Sequence, residues 1–341
     1  MLKGAILGFG QVVEHGHVPA FLARSSSFEI NAVADASPRR LEAAAALFPR
    51  ARLYSDFRVL LRKERGLDFA DIATPPFFHP AHVCAALRKG LHVLCEKPLA
   101  FTRRDARRIA ALAGERKLCV ATVHNWKKAA PVLKAKELID SGALGAVRHV
   151  ELHVLRKQAA ATASDGANWR TDPRISGGGI LVDHGWHNFY LACHLAGQRP
   201  VAVNTSLDRS PVSGADEDAK VLIGFDGGAG AFVHLTWKSP LRRNSVLVYG
   251  DRALLEINDD AVVLQSPDGS RREFATGDKL SGGSAHPEWM ARLLDEFESE
   301  VADQARRGAN LQEALWCASL LECGYRSAKA NKMIRLETPA A

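Results

Sequence analysis

Short runs of apolar and β-branched residues alternate with amphipathic stretches over the first 120 or so positions, and most switches carry a boundary signal. "KGAILGFG" predicts a strand and turn, and "HVPAFLARS" a helix. "FEINAVADAS" is a second strand ending on an acid, followed by the helix "PRRLEAAAALFP" with Pro38 in its first turn. "LYSDFRVLLRKE" holds a short strand and a helix, and "LDFADIATPP" a third major strand. "HPAHVCAALRKG" is a helix closed by Gly90, "LHVLCEKP" a fourth strand, "TRRDARRIAALAGERK" a helix and "LCVATVHN" a fifth strand. Strands alternating with helices of this length predict a parallel, doubly wound α/β sheet.

Past residue 125 or so the pattern changes. A helix, "APVLKAKELIDSGALG", leads into strands with period-two alternation: "VRHVELHVLR", "VAVNTSLD", "AKVLIGFD", "GAFVHLTWK", "NSVLVYG", "ALLEIND" and "AVVLQSP". Asp226-Gly227-Gly228 and Pro267-Asp268-Gly269 are turn signals between them. Two helices near 286–306 and 310–331 follow, and "MIRLET" reads as a last strand. The prediction is an α+β domain built on a large, mostly antiparallel sheet with helices on one face. The boundary falls near 122–128, giving a doubly wound first domain over 1–123 and a second domain over 124–341.

Composition narrows the picture only a little. The 341 residues carry a formal net charge of +7, with 47% hydrophobic and 24% charged residues, an ordinary globular balance. The basic residues are dispersed among acids without an aromatic-basic ladder, so no nucleic-acid partner is expected. No apolar run approaches the roughly 18 residues that span a bilayer, and "MLKGAILGFGQ" is too short for a secretory segment. A cytoplasmic protein without a membrane partner is expected. Six scattered cysteines (Cys84, Cys95, Cys119, Cys193, Cys317 and Cys323) form no CxxC or zinc spacing, so neither a metal site nor a disulfide framework is predicted.

Four stretches carry chemistry. In "AILGFGQVVEHGHVPAF", Gly8 and Gly10 stand where a dinucleotide fold needs a tight turn and close backbone approach to pyrophosphate. Phe9, Gln11 and Val12 complete that turn, while Val13 takes the place of a third glycine. Asp35 ends the second strand at the distance suited to the adenosine ribose hydroxyls, which favours NAD over NADP. Arg39 and Arg40 just beyond could instead cradle a 2′-phosphate, keeping NADP possible, or simply sit on a solvated helix face. In "DIATPPFFHPAH", Thr74 and Pro75 end a strand at the ligand crevice, and His79 and His82 follow as pocket groups or as cap and surface histidines. "HVLCEKPLAFT" ends a strand with Glu96 and Lys97 against Pro98, a lysine placed for acid–base work or half of a surface ion pair. In "WRTDPRISGGGILVDHGWHNFYLACHLAG", Gly177-Gly178-Gly179 opens a helix near Ile180, and Asp183 and His187 lie four apart on one face. His194 reads as a core or interface histidine.

Taken in this order and spacing, "GFGQVVEHGHVPAF", "DIATPPFFHPAH", "HVLCEKPLA" and "SGGGILVDHGWH" make the chain similar to the Gfo/Idh/MocA oxidoreductases, named for glucose–fructose oxidoreductase and inositol dehydrogenase. The resemblance implies an N-terminal NAD(P)-binding Rossmann domain. It also implies an open-faced, mostly antiparallel second domain that holds substrate and builds homodimers or homotetramers. By position, Lys97 matches the motif lysine near nicotinamide and substrate hydroxyl, and Asp183 and His187 match the acid and proton-accepting histidine of the second motif. Two departures fall around the substrate pocket. The frequent HxxD run is here His187-Asn188-Phe189-Tyr190, and "HNWKKAAP" stands where many members have N-x-R.

The expected chemistry is reversible oxidation of a secondary alcohol on a sugar, cyclitol or related substrate, phosphorylated or acidic ones included. His187 takes the proton, Lys97 assists, and Asp183 orients the imidazole. Cofactor contacts are expected from Gly8, Phe9, Gly10, Gln11, Val12, Asp35, Arg39, Thr74, Pro75, His79, Glu96 and Lys97. Substrate contacts are expected from Lys97, Asn125, Lys128, Trp169, Arg170, Asp183 and His187. Arg156, Lys157 and Arg174 are either further anion contacts or solvated charges. An NAD-dependent glycoside-cleaving enzyme that recycles the cofactor, and a non-catalytic dinucleotide sensor, stand as the alternatives.

Overall fold

A computed structural model describes residues 1–159, 172–283 and 285–337. They form two compact units, the described residues of 1–125 with 283–315 and those of 126–282 with 316–341. A single cut near residue 124 divides the chain more simply than this, because the helix Pro287–Ala302 belongs with the first unit. Its Met290, Leu293, Leu294 and Phe297 join the cluster of Phe21, Phe28 and Phe69, with the Phe69 and Phe297 rings 5.7 Å apart. The apolar stripe of that helix announces burial in the sequence but not which core receives it.

Six parallel strands make the sheet of the first unit: β1 (Leu2–Leu7), β2 (Phe28–Ala34), β3 (Arg52–Tyr54), β4 (Phe69–Ile72), β5 (His92–Cys95) and β6 (Val120–Thr122). Their order is β3-β2-β1-β4-β5-β6, the doubly wound Rossmann order, which places the topological switch between β1 and β4. The crossovers carry α1 (Val18–Ala23), α2 (Pro38–Leu47), α3 (Phe57–Lys63), α4 (His79–Lys89) and α5 (Arg103–Arg116). Local chemistry sets their ends: Asp56 and Thr102 cap α3 and α5 by accepting the Arg58 and Asp105 amides, and Gly90 closes α4 with φ at +88°. Between β1 and α1 the chain makes a π-helical turn, Val13–His17. Strand β4 is buried on both faces, as parallel strands are, so Asp71 in its middle is a charged residue in the core.

The second unit adds α6 (Ala130–Asp140), β7 (Val147–Leu155), α7 (Pro173–Ser176), α8 (Trp186–Ala196), β8 (Pro200–Arg209), β9 (Asp216–Phe225), β10 (Gly230–Thr236), β11 (Arg243–Gly250), β12 (Leu254–Asn258), β13 (Ala261–Gln265) and β14 (Arg271–Ala275). The helix Pro287–Ala302 is α9; α10 (Ala309–Ala330) and β15 (Ile334–Arg335) close the chain. The nine strands run β14-β13-β12-β11-β7-β10-β9-β8-β15, antiparallel except for β7 beside β10. Strand β14 is an addition to the predicted set, since "RREFA" is polar and mostly exposed at the sheet edge, where alternation fades. Helix α8 packs on β7, and α6 on β12 and β13. The strands therefore bury alternate residues, as in β10, where Ala231, Val233 and Leu235 are buried and Phe232 and His234 half-buried. Among the described residues no helix is long and apolar enough to cross a membrane, and all six cysteines are buried.

Candidate active site

The glycine turn comes first. Gly8 has φ at +91°, and a Cβ there would sit 2.7 Å from the Thr74 nitrogen, so the loop after β4 passes too close for any side chain. A Cβ on Gly10 would meet nothing within 4 Å. The backbone is therefore open on that side, as close approach of a pyrophosphate requires, with the amides of Gln11 and Val12 at the start of the helical turn. Val13, at the third-glycine position, is fully buried in the sheet-facing core.

Asp35, just past β2, is half-buried, and its two oxygens accept the Phe9 amide at 2.7 Å and the Ser37 amide at 2.8 Å. Each carboxylate oxygen keeps capacity for a further donor. The residue thus fixes the turn at Phe9 and keeps a carboxylate beside it. Arg40 pairs with Glu14 at 3.0 Å rather than standing as a solvated charge. This unit fits a dinucleotide: a cradle at Gly10, a helix start beside it and a carboxylate at the end of the second strand.

Around Lys97 the structure is more tightly built than the sequence suggests. His79 is buried, with Nδ1 2.8 Å from the Pro98 carbonyl and Nε2 2.7 Å from the Thr74 carbonyl. It is neither a cap nor a surface residue, and it ties the loop after β4 to the loop after β5. Burial holds its pKa below the usual histidine range. His82 is also buried, bonded to Thr74 Oγ1 at 3.0 Å and pushed by burial down to about 4. Glu96, expected to face the cofactor, has both oxygens engaged within the unit. Oε1 lies 3.1 Å from His17 Nε2, and Oε2 accepts the Lys97 amide at 3.0 Å. Lys97 itself is half-buried, and the Lys97–Pro98 bond is cis. Asn125 ends the unit with Oδ1 buried and unpartnered, an acceptor that suits a ligand hydroxyl or amide.

In the second unit the triple glycine is needed for three separate reasons. Gly177 has φ at +81°, a Cβ on Gly178 would lie 1.9 Å from the Tyr325 hydroxyl oxygen, and one on Gly179 would lie 2.0 Å from the Asp216 carbonyl oxygen. This close packing lets the buried Asp216 cap the helix start. Its Oδ1 accepts from Gly179 N at 2.9 Å and from the Tyr325 hydroxyl at 2.8 Å, and its Oδ2 accepts from Leu181 N at 2.8 Å. A π-helical turn, Leu181–Gly185, carries Asp183 into α8 and His187. Such turns are frequent at functional sites.

His187 is only 7% exposed. Its ring stacks on Trp126 with centroids 4.6 Å apart, and Nδ1 lies 2.8 Å from the Tyr190 hydroxyl. That hydroxyl also accepts the Trp126 amide at 3.1 Å. At Nδ1 Tyr190 is an orienting partner, and Asp183 Oδ2 lies 3.3 Å from His184 Nδ1. Lys128 is half-buried in the 3₁₀ turn Asn125–Lys128. Arg156 is 4% exposed and donates from Nη1 to Leu155 O, Arg243 O and Asn244 Oδ1, so it is not a solvated strand-end charge. Burial, with Arg242 nearby, holds its pKa down to about 10. Trp169 and Arg170 lie outside the described residues.

Two family models match the chain. The NAD-binding Rossmann-fold model of the Gfo/Idh/MocA oxidoreductases matches residues 2–124, and the GFO/IDH/MocA C-terminal domain matches residues 132–256. The chain belongs to the Gfo/Idh/MocA oxidoreductase family. It is an NAD(P)-dependent oxidoreductase, and its first unit is the NAD-binding domain. An uncharacterized oxidoreductase of Schizosaccharomyces pombe is 32% identical over 208 residues, 61% of this chain and 54% of that protein, so the chain spans about half of that relative. Levoglucosan dehydrogenase of Pseudarthrobacter phenanthrenivorans is 25% identical over 84% of this chain and 80% of its own length. Among solved structures, a levoglucosan dehydrogenase in complex with NADH is alike in fold, with a TM-score of 0.86 at 21% identity over 98% of this chain and 99% of that one.

Several residues of this Gfo/Idh/MocA site escape a reading of motifs. Asp216 and Tyr325 lie 33 and 142 residues beyond Asp183, so only the fold brings them to the glycine turn. His17 and Asp71 had one available signal. A lone acid inside the apolar run "FADIA" demands a buried partner, and a histidine after the glycine turn is a candidate for it.

Proposed function

We propose that the protein catalyses reversible NAD-dependent oxidation of a secondary alcohol, CH–OH to C=O, on a sugar, cyclitol or related polyol. The observation that carries this reading is the buried imidazole of His187, stacked on Trp126 and fixed at Nδ1 by the Tyr190 hydroxyl. Proton exchange with substrate then falls to Nε2. For Nε2 to accept, Nδ1 must carry the hydrogen and donate it to the Tyr190 oxygen, whose other lone pair holds the Trp126 amide. NAD, when bound, supplies the hydride acceptor. Lys97 donates a hydrogen bond to the reacting oxygen, stabilising negative charge as the proton leaves. Asp183, on the same helical turn, adds negative charge near the imidazole.

Asp35 favours NAD over NADP, because a 2′-phosphate would meet a carboxylate already held by two backbone amides. Asn125 Oδ1 and Lys128 are assigned to the substrate, with Trp169 and Arg170. The substrate class is supported by relatives named levoglucosan dehydrogenase and D-glucoside 3-dehydrogenase. Pairing of copies is assigned to the half-exposed face of the nine-stranded sheet, where His149, Glu151 and His153 alternate along β7.

The test is NADH formation at 340 nm against a panel of levoglucosan, D-glucosides, myo-inositol, uronic acids and sugar phosphates. The reading predicts stoichiometric NADH with at least one polyol and at least tenfold lower efficiency with NADP. Product formation without NADH accumulation would instead favour the cofactor-recycling, glycoside-cleaving chemistry. Tight NADH binding with no turnover of any alcohol would contradict both.

A further inference from the structure

We propose that His17 is a positioning residue for Lys97, locking Glu96 in place so that Glu96 holds the lysine backbone. This rests on the reading of Lys97 as a catalytic side chain. His17 ends the π-helical turn that starts three residues after Gly10, and its ring bridges two neighbouring strands of the sheet. Nδ1 lies 2.8 Å from Asp71 Oδ2 on β4, and Nε2 lies 3.1 Å from Glu96 Oε1 just after β5. The side chains of His17 and Asp71 are 2% and 0% exposed.

A carboxylate can only accept, so a ring set between two of them donates from both nitrogens and is an imidazolium. Glu96 passes the constraint on, since its second oxygen accepts the Lys97 amide at 3.0 Å. On the other side of Lys97, His79 lies between two neutral carbonyls rather than two carboxylates, with Nδ1 2.8 Å from the Pro98 carbonyl, a hydrogen bond in the tautomer that carries its hydrogen there. The backbone carrying the lysine is thus held from both flanks, and one of the contacts originates in the π-helical turn that follows the glycines.

A cross-link for stability alone does not require such groups. Apolar residues of the same volume often serve a core as well as or better than buried ions. Here two carboxylates and one imidazolium leave a net negative charge behind a cationic side chain, with Asp71 Oδ1 buried and unpartnered. Positioning of the lysine accounts for that cost.

The test uses the full chain with His17→Phe, Glu96→Gln and the double variant, with NAD and the best alcohol of the panel. The expected result is a kcat about 10- to 100-fold lower in each single variant, the usual range for groups that orient a functional residue. KM for the alcohol and NADH affinity by fluorescence stay within about threefold, and the double variant is no worse than the poorer single one, because both act through one link. Unchanged kcat, a loss confined to NADH affinity, or additive losses would overturn the proposal.

If His17→Phe gives no soluble protein, Glu96→Gln and the ¹⁵N-histidine spectrum of the wild type decide. A His17 protonated at both nitrogens from pH 6 to 8, together with the kcat loss in Glu96→Gln, supports it; a neutral His17 overturns it. Lys97→Ala separates the two levels. Full activity in that variant removes the catalytic reading of Lys97, whatever the state of His17.

Discussion

The Tyr190 hydroxyl stands 2.8 Å from His187 Nδ1 and accepts the Trp126 amide at 3.1 Å, so one phenol oxygen fixes both the imidazole and the aromatic plate stacked on it. Tyr190→Phe keeps the ring and removes the oxygen, leaving a buried amide and Nδ1 without this partner. Melting should show a loss of about 1–3 kcal/mol, and kcat should fall at least tenfold with NADH affinity unchanged. Unaltered kcat would mean that the imidazole is oriented by other contacts.

The helix that carries Asp183 and His187 starts on Asp216, which accepts from two amides and the Tyr325 hydroxyl. Asp216→Ala should cost about 3 kcal/mol or more, because charged hydrogen bonds are lost and the helix start is uncapped. Gly179→Ala should be comparably damaging for a different reason, since its Cβ would lie 2.0 Å from the Asp216 carbonyl oxygen and neither backbone can yield cheaply. Denaturant melts of both variants check this. A Gly179→Ala protein as stable as wild type would contradict the packing described.

Stability should also depend on His17 at alkaline pH. Burial opposes charge on the ring, but Asp71 and Glu96 outweigh it and push the pKa from 6.5 up to about 10. Lys97, His79 and the high-pKa thiol of Cys95 complete the charged and titratable surroundings of Glu96 and Asp71. A raised folded-state pKa stabilises fully below pH 6.5 and loses that contribution between pH 6.5 and about 10, at about 1.4 kcal/mol per pH unit at most. The melting temperature of wild type should fall across this window, and the His17→Phe variant should show a shallower fall. Parallel curves would contradict a charged His17.

Cofactor choice turns on Asp35. Asp35→Asn removes the negative charge while keeping the size of the side chain. The ratio of kcat/KM for NADP to that for NAD should rise about tenfold, roughly 1.4 kcal/mol of discrimination, with some loss of NAD affinity because the Phe9 and Ser37 amides lose a charged acceptor. An unchanged ratio would place discrimination elsewhere, with Arg39 the next residue to vary.

Much of this was legible along the chain because periodicity reports burial directly. Five of the six strands of the first sheet are short buried runs between helices, and Lys97, Asp183 and His187 sit in motifs of fixed spacing. What escaped was information that only the fold supplies. Helix α9 shows an apolar stripe but not the core that takes it, β14 lacks an apolar face, and Asp216 is far in sequence from the glycines it caps. His17, Asp71 and Glu96 come from three elements, and their meeting depends on the β1-β4-β5 neighbourhood. Glu96 next to Lys97 suggested an ion pair or a cofactor contact, whereas its carboxylate turns back onto His17 and the lysine amide.

The central claim is that Lys97 and His187 act on the same alcohol. Steady-state NADH formation by wild type, Lys97→Ala, His187→Ala and the double variant, with NADH affinity measured alongside, tests it most directly. Each single variant should lose about 10²–10⁴-fold in kcat, NADH affinity should hold within several-fold, and the double loss should be far smaller than the product of the two. Full turnover in either single variant would contradict the account.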